Sequence, residues 1–214
     1  MKKLIIGAVS LCLLTVACKK EEDTIIPQTQ NPGVTQSVAY FPLDSGSYWV
    51  YEHYRIDTLG METYNNNDST FITGDTIIGG NTYSILRNIG FYPLVQYCRD
   101  SANCIVNEKG EIIFSANLQG QLIRTDSIFS TVSLFIIVRD SMDNGNFSLS
   151  LNSNTYNTLQ RSTRVQYMFT QLPQFHSPYL TNFAPGVGLV RNQYIYSSSP
   201  HLLYERRLIR YHIE

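Results

Sequence analysis

Charged side chains are scarce in this sequence: Asp, Glu, Lys and Arg make up 15% of 214 residues, against about a quarter in an average soluble domain. That excludes a chain kept disordered by its own charge, and an apolar fraction of 43% is enough for a core. Neither sign dominates. The formal net charge is −1, so the basic excess that tracks a phosphate backbone is missing and no nucleic-acid partner is expected. Long apolar runs are missing too. The longest, Leu4 to Val16, is interrupted by Gly7, Ser10 and Thr15 and falls short of the roughly 20 residues a helix needs to cross a bilayer.

Histidine is rare. His53, His176, His201 and His212 include no pair two to four residues apart, so no one strand or helix offers a chelating pair. No Gly-x-Ser-x-Gly elbow occurs. Gly186-Val187-Gly188 lacks the third glycine and the following helix of a dinucleotide fingerprint. Asp140 to Leu151 is no calcium loop, with Met142 at a ligand position and Leu151 where the bidentate Glu belongs. No protease signature surrounds Cys98 or Cys104. The expectation is therefore a chain without enzymatic activity, cofactor or metal.

What is present begins with an address. Lys2 and Lys3 precede the apolar run, which reads as a secretory leader over residues 1–17. It ends in Leu14-Thr15-Val16-Ala17-Cys18, followed at once by Lys19-Lys20-Glu21-Glu22-Asp23. A small residue directly before such a Cys resembles the bacterial lipobox, although Thr15 replaces the Leu usual three residues upstream. The resemblance implies that Cys18 becomes an acylated N-terminus, with palmitate-type chains as a membrane anchor. At about 0.8 kcal/mol per buried methylene, two or three chains hold a protein on a bilayer indefinitely. Lysine followed by acidic residues resembles the surface-export signal of Bacteroidota lipoproteins, which implies the outer membrane and an outward-facing domain.

Residues 18–37 carry Pro27, Pro32 and Gly33 among Gln, Thr and Asn and read as a flexible tether. Residues 38–214 read as a single antiparallel β domain, with 12 Lys or Arg against 14 Asp or Glu. Fifteen Tyr, ten Phe and many Ser, Thr and Asn favour strands over helices. Strands are predicted over 47–57, 70–78, 82–87, 104–107, 111–115, 132–139, 147–151, 164–170, 187–197 and 202–213. Gly79-Gly80-Asn81, Glu108-Lys109-Gly110, Asp143 to Asn146 and Ser198-Ser199-Pro200 supply turns. Val132 to Arg139, the most apolar run, is predicted as a central strand. The sole helix candidate is Ser153 to Arg161. The fold class is all-β, an antiparallel sandwich or a full or half barrel of roughly ten strands.

Tyr40-Phe41-Pro42-Leu43, Gly46, Trp49 and Tyr51 resemble the opening of many uncharacterised Bacteroidota lipoproteins. Pro185-Gly186-Val187-Gly188-Leu189-Val190 resembles a segment near their C-termini. This likeness implies no activity. On a strand, Trp49 and Tyr51 would share a face.

Three further patterns point to sites. Cys98 and Cys104 are the two thiols left after the leader departs and Cys18 is acylated, and in an oxidising envelope they are expected to form a disulfide. Nine Asp occur and eight precede Ser or Thr. Seven of these triplets resemble the O-glycosylation sequon of Bacteroidota, at Thr24, Thr58, Ser69, Thr76, Ser101, Ser127 and Ser141. Asp-Ser and Asp-Thr also suit turns and strand ends. Finally, Tyr40, Phe41, Tyr48, Trp49, Tyr51 and Tyr54 crowd one end of the domain, and Tyr167, Phe169, Phe175, Tyr179 and Phe183 the other. They either pack the core or line a platform for a glycan or apolar ligand. The first functional expectation is a non-enzymatic binding or structural domain on an acyl anchor. The alternative is a carrier with an apolar ligand in a barrel or half-barrel cavity.

Overall fold

The computed structural model describes residues 36–90, 93–131, 134–168, 173–175, 178–195 and 202–214. The leader, Cys18, Thr24, most of the tether, His176, His201, Phe169 and the Ser198-Ser199-Pro200 turn lie outside them.

The described chain is all-β. The first six strands form a meander: β1 (Tyr48–Ile56), β2 (Glu62–Ile78), β3 (Asn81–Ile89), β4 (Leu94–Ser101), β5 (Cys104–Asn107) and β6 (Ile112–Phe114). Each runs antiparallel to the one before. The second half contains β7 (Leu122–Thr131), β8 (Leu134–Met142), β9 (Phe147–Leu151), β10 (Asn154–Met168), β11 (Pro173–Phe175), β12 (Tyr179–Ala184), β13 (Gly188–Tyr194) and β14 (Leu203–His212). Its path runs β7-β8-β10-β12-β13-β14, with β9 and β11 paired to β10 at the side. Strand β14 then pairs with β1 from Ile56–Leu203 to Tyr48–His212 and joins the halves. The free ends of the path, β6 and β7, approach each other without ladder hydrogen bonds. The sheet is thus a nearly closed barrel with one unpaired seam.

Local chemistry explains the reversals. Gly79-Gly80, Ala102-Asn103 and Asn152-Ser153 each link two strands as a two-residue loop, and both residues of each loop have positive φ. This is the turn whose twist matches antiparallel strands. The last of them corrects the helix expected over Ser153 to Arg161. The turn sends that segment back along β9, and Thr155, Tyr156 and Thr158 pair with Ser150, Leu149 and Phe147. Long β strands of β-branched and aromatic residues gain more from such cross-strand contacts than from a helix.

Three further expectations are corrected. The apolar run around Leu134 to Arg139 is not central: β8 is one strand in from the seam. Strands β4, β7, β11 and β12 fall on segments not predicted as strands. Cys98 and Cys104 are both free thiols. The Ala102-Asn103 turn sets Cys104 opposite Ser101, while Cys98 lies opposite Asn107. Three rungs, about 10 Å, separate the two, and an odd offset puts them on opposite faces, outside disulfide reach.

One end of the barrel is stopped by the chain that enters it. Ser37–Ala39 form a 3-10 turn. Buried Ser37, at the end of the expected tether, donates to the Asn103 carbonyl and accepts from Ala116 N–H at 3.0 Å. Tyr40 packs on Phe114 and Phe41 on Phe183, each pair 5.9 Å between centroids. Phe114 and Phe183, from the two halves of the sheet, meet at 4.5 Å. Around them gather Trp49, Ile72, Leu86, Cys98, Ile105, Ala116 and Leu208, all buried.

Candidate functional site

Above this core the barrel is not filled. An interior cavity of about 580 Å³ is lined by side chains from β1 to β7, β10 and β12 to β14, and by Phe41 and Pro42 of the stopper. That volume is within the usual range of small-molecule sites. Strand alternation places the lining. On β1, Trp49, Tyr51 and His53 are buried and the residues between them only half-buried. The Trp49 indole donates to the Val187 carbonyl at 2.5 Å, and the Tyr51 hydroxyl to the Leu189 carbonyl at 2.9 Å. Burial raises the Tyr51 pKa; the nearby Arg206 charge opposes this and Asp68 reinforces it. Tyr51 is therefore a neutral donor.

The cavity changes character along the barrel. Near the stopper its wall is apolar, with Phe41, Pro42, Trp49, Leu86, Phe183 and Leu189. Two residues beyond Phe183 a polar row begins. Arg161 on β10 lies opposite Thr181, Thr181 opposite Asn192, Asn192 opposite Arg206, and Arg206 opposite His53. Directly paired residues share a face, so this is one rung across five strands, and Arg161, Thr181, Asn192 and Arg206 all line the cavity. Thr181 donates to Asn192 Oδ1 at 2.9 Å. Further round, Leu94 and Val95 line the cavity while 53% and 40% exposed. They form an apolar lip where the cavity meets solvent.

The charges on this rung are treated unequally. Arg206 reaches Asp68 Oδ1 at 2.7 Å, Thr70 at 2.8 Å and Asn88 at 3.2 Å, and its guanidinium lies 3.7 Å over the Tyr51 ring. Asp68 Oδ2 is 2.9 Å from His53 Nε2. His53 Nδ1 meets the Tyr194 hydroxyl at 2.7 Å. Burial alone would raise the Asp68 pKa, but His53 and Arg206 outweigh it and hold the carboxyl below its ordinary value. Arg124, also in the lining, pairs with Asp140 at 2.8 Å and approaches Glu111 across the seam at 3.8 Å. Arg161 differs. Its Nη1 donates to the Ile113 carbonyl at 2.8 Å and its Nη2 to Thr181 Oγ1 at 3.4 Å, its buried Nε has no partner, and no carboxylate pairs with it among the described residues. Burial presses the Arg161 pKa below its ordinary value, and Asp140 opposes that shift while Arg124 adds to it.

The residues singled out in the sequence are distributed as follows. Phe41, Trp49, Tyr51 and Phe183 line the cavity. Tyr48 instead stacks on His212 at 5.7 Å and Tyr54 packs edge-on against Tyr64. Thr58 and Ser127 are exposed, and Ser69, Thr76, Ser101 and Ser141 are half-buried. His53 and His212 are far apart in sequence but close a pair of contacts each, His212 with Glu214 at 3.2 Å. Sequence reading missed Arg161, Thr181, Asn192 and Arg206. No motif marks them, since they come from four strands.

No family model matches the sequence, and no curated protein does. Two crystal structures resemble the fold. One is of "a putative lipoprotein" from Parabacteroides distasonis, 12% identical, covering 84% of this chain and 99% of that one, with a TM-score of 0.46. The other is of "a putative exported protein with YmcC-like fold" from Bacteroides fragilis, 9% identical, covering 81% and 98%, also at 0.46.

Proposed function

We propose that this chain is an outer-membrane lipoprotein, acylated at Cys18 and facing outward, whose barrel domain carries a small apolar or amphiphilic molecule without transforming it. The observation that carries the reading is the cavity of about 580 Å³ to which nearly every strand of the path contributes. A solvent-connected volume of that size, apolar at one end of its wall and polar at the other, suits a small-molecule ligand. The exposed lip at Leu94 and Val95 gives an apolar molecule a way in.

A non-enzymatic role is supported by the closed bonding of the buried acid–base pair. Both nitrogens of His53 face partners, Tyr194 and Asp68, and Asp68 is in turn held by Arg206 and Asn88. None of His53, Asp68 and Tyr194 is among the residues that line the cavity, so this pair does not face the proposed ligand. The anchor rests on the leader and Cys18, which the sequence supplies.

Native mass spectrometry of the protein extracted from its own envelope tests both parts. Diacyl or triacyl mass on Cys18 and a co-purifying small molecule are the expected results. A chain with an intact leader, or a Cys18→Ala variant that still partitions with membranes, removes the anchor. A cavity that takes up no hydrophobic dye or lipid extract component removes the carrier.

A further inference from the structure

Resting on the carrier reading, we infer that the molecule held in the barrel is an amphiphilic acid: its anionic head pairs with Arg161 and its apolar body lies towards Trp49 and Phe183. Three arginines line the cavity. Two have their own carboxylates, Arg206 with Asp68 and Arg124 with Asp140. The third, Arg161, spends one terminal nitrogen on the backbone carbonyl of Ile113 and the other on a long contact to Thr181, and leaves its buried Nε bare. Glu108 also lines the cavity, but from the exposed β5–β6 turn and without an ion pair to Arg161.

Arg161 is half-buried, and a cation partly withdrawn from water without an ion pair to a carboxylate is costly. Here it sits at the boundary between the apolar and polar parts of the wall. Its planar fork suits the two oxygens of a carboxylate or phosphate head. The Thr181 hydroxyl lies in register beside it. On the other side of that boundary, Phe183 and Leu189 pair across β12 and β13, and Trp49 and Phe41 complete an apolar floor. A neutral apolar ligand would fill the floor and leave the cation uncompensated. A cationic one would be repelled by it.

The test uses the full chain carrying Cys18→Ala in detergent-free buffer, titrated with decanoate, decyl phosphate and decanol by calorimetry. At least one of the two anions is expected to bind about tenfold or more tightly than decanol, the usual scale of a charge-assisted hydrogen bond. Which of the two is preferred identifies the head group. Arg161→Gln is expected to erase the preference for the anions over decanol, and Arg161→Lys to restore part of it. If the unsubstituted barrel binds decanol as tightly as both anions, the inference fails while the carrier reading stands. If it binds none of the three, both fail. Should Arg161→Gln not fold, carboxyl-labelled decanoate bound to the unsubstituted chain decides by NMR. A bound carboxyl that titrates below its free value supports the pairing with Arg161, and one that titrates at or above it overturns the inference.

Discussion

The Trp49 indole N–H and the Val187 carbonyl meet at 2.5 Å across 138 positions of sequence. Each belongs to one of the two segments most distinctive in the sequence. Gly188 makes the contact feasible: its φ is +94°, and a Cβ there would stand 3.1 Å from Trp49 Nε1 and 3.3 Å from Pro42 Cδ. Gly186 adds a second tie, its N–H donating to Ala39 at 2.6 Å. Gly188→Ala is expected to cost about 1–3 kcal/mol through strain and crowding. Trp49→Phe, which strands a buried carbonyl, is expected to cost a similar amount, about 1–3 kcal/mol. Urea unfolding would show both as a lower midpoint at unchanged slope.

Asp68 makes stability depend on acid. Its folded pKa lies below its unfolded value because His53 and Arg206 overcome the burial that would raise it. The stabilisation is therefore complete above the unfolded carboxyl pKa of about 3.9 and is lost as pH falls through the lower folded value. Asp68→Asn is expected to destabilise the barrel at neutral pH and to flatten the acid limb of a stability-against-pH curve. An acid limb of unchanged steepness in the variant would show that other carboxyls set it.

The thiols are expected to behave as two unlinked groups. Burial, helped slightly by Glu108, pushes the Cys98 thiol up to about 12, so almost no thiolate exists at pH 8. Iodoacetamide is expected to alkylate half-buried Cys104 first and to reach Cys98 only in denaturant, as read by peptide mass. Prior treatment with a reductant should leave the melting temperature unchanged, because no bridge is present to break.

Among the sequon-like triplets, exposure separates the candidates. Asp57 Oδ1 accepts from the Leu59 and Met61 N–H groups at 2.9 Å each, and Asp126 Oδ1 from Ser127 at 2.7 Å, so both Asp side chains shape the backbone around an exposed hydroxyl. Thr58 and Ser127 are the expected glycan carriers in the described domain; Ser69, Thr76, Ser101 and Ser141 are half-buried in strands. Glycopeptide mapping of native material that finds Thr58 and Ser127 both bare would reject this.

Secondary structure was legible where it is written locally. Alternation in Tyr48 to Ile56 and the Gly79-Gly80 turn announced β1 and the β2–β3 hairpin, because a period of two and a positive φ are properties of a few adjacent residues. Strands such as Leu94 to Ser101 and Leu122 to Thr131 mix polar and apolar residues too evenly to be recognised alone. Leu94 to Ser101 becomes a strand because β3 and β5 on either side present unpaired backbone groups to it, and Leu122 to Thr131 because β8 does so on one side. The disulfide expectation failed for a related reason. Nearness in sequence says nothing of which face a turn will choose, and the Ala102-Asn103 turn chose opposite ones.

The amino-acid order thus carried the β-rich character of the chain and its local turns, which are written in composition and in neighbouring residues. Closure of the barrel, the stopper at one end and the meeting of Arg161, Thr181, Asn192 and Arg206 on one rung were decided by tertiary structure. Register between strands dozens of residues apart is set by the packing of the whole sheet. No single segment holds the information that leaves Arg161 without an ion pair to a carboxylate among the described residues.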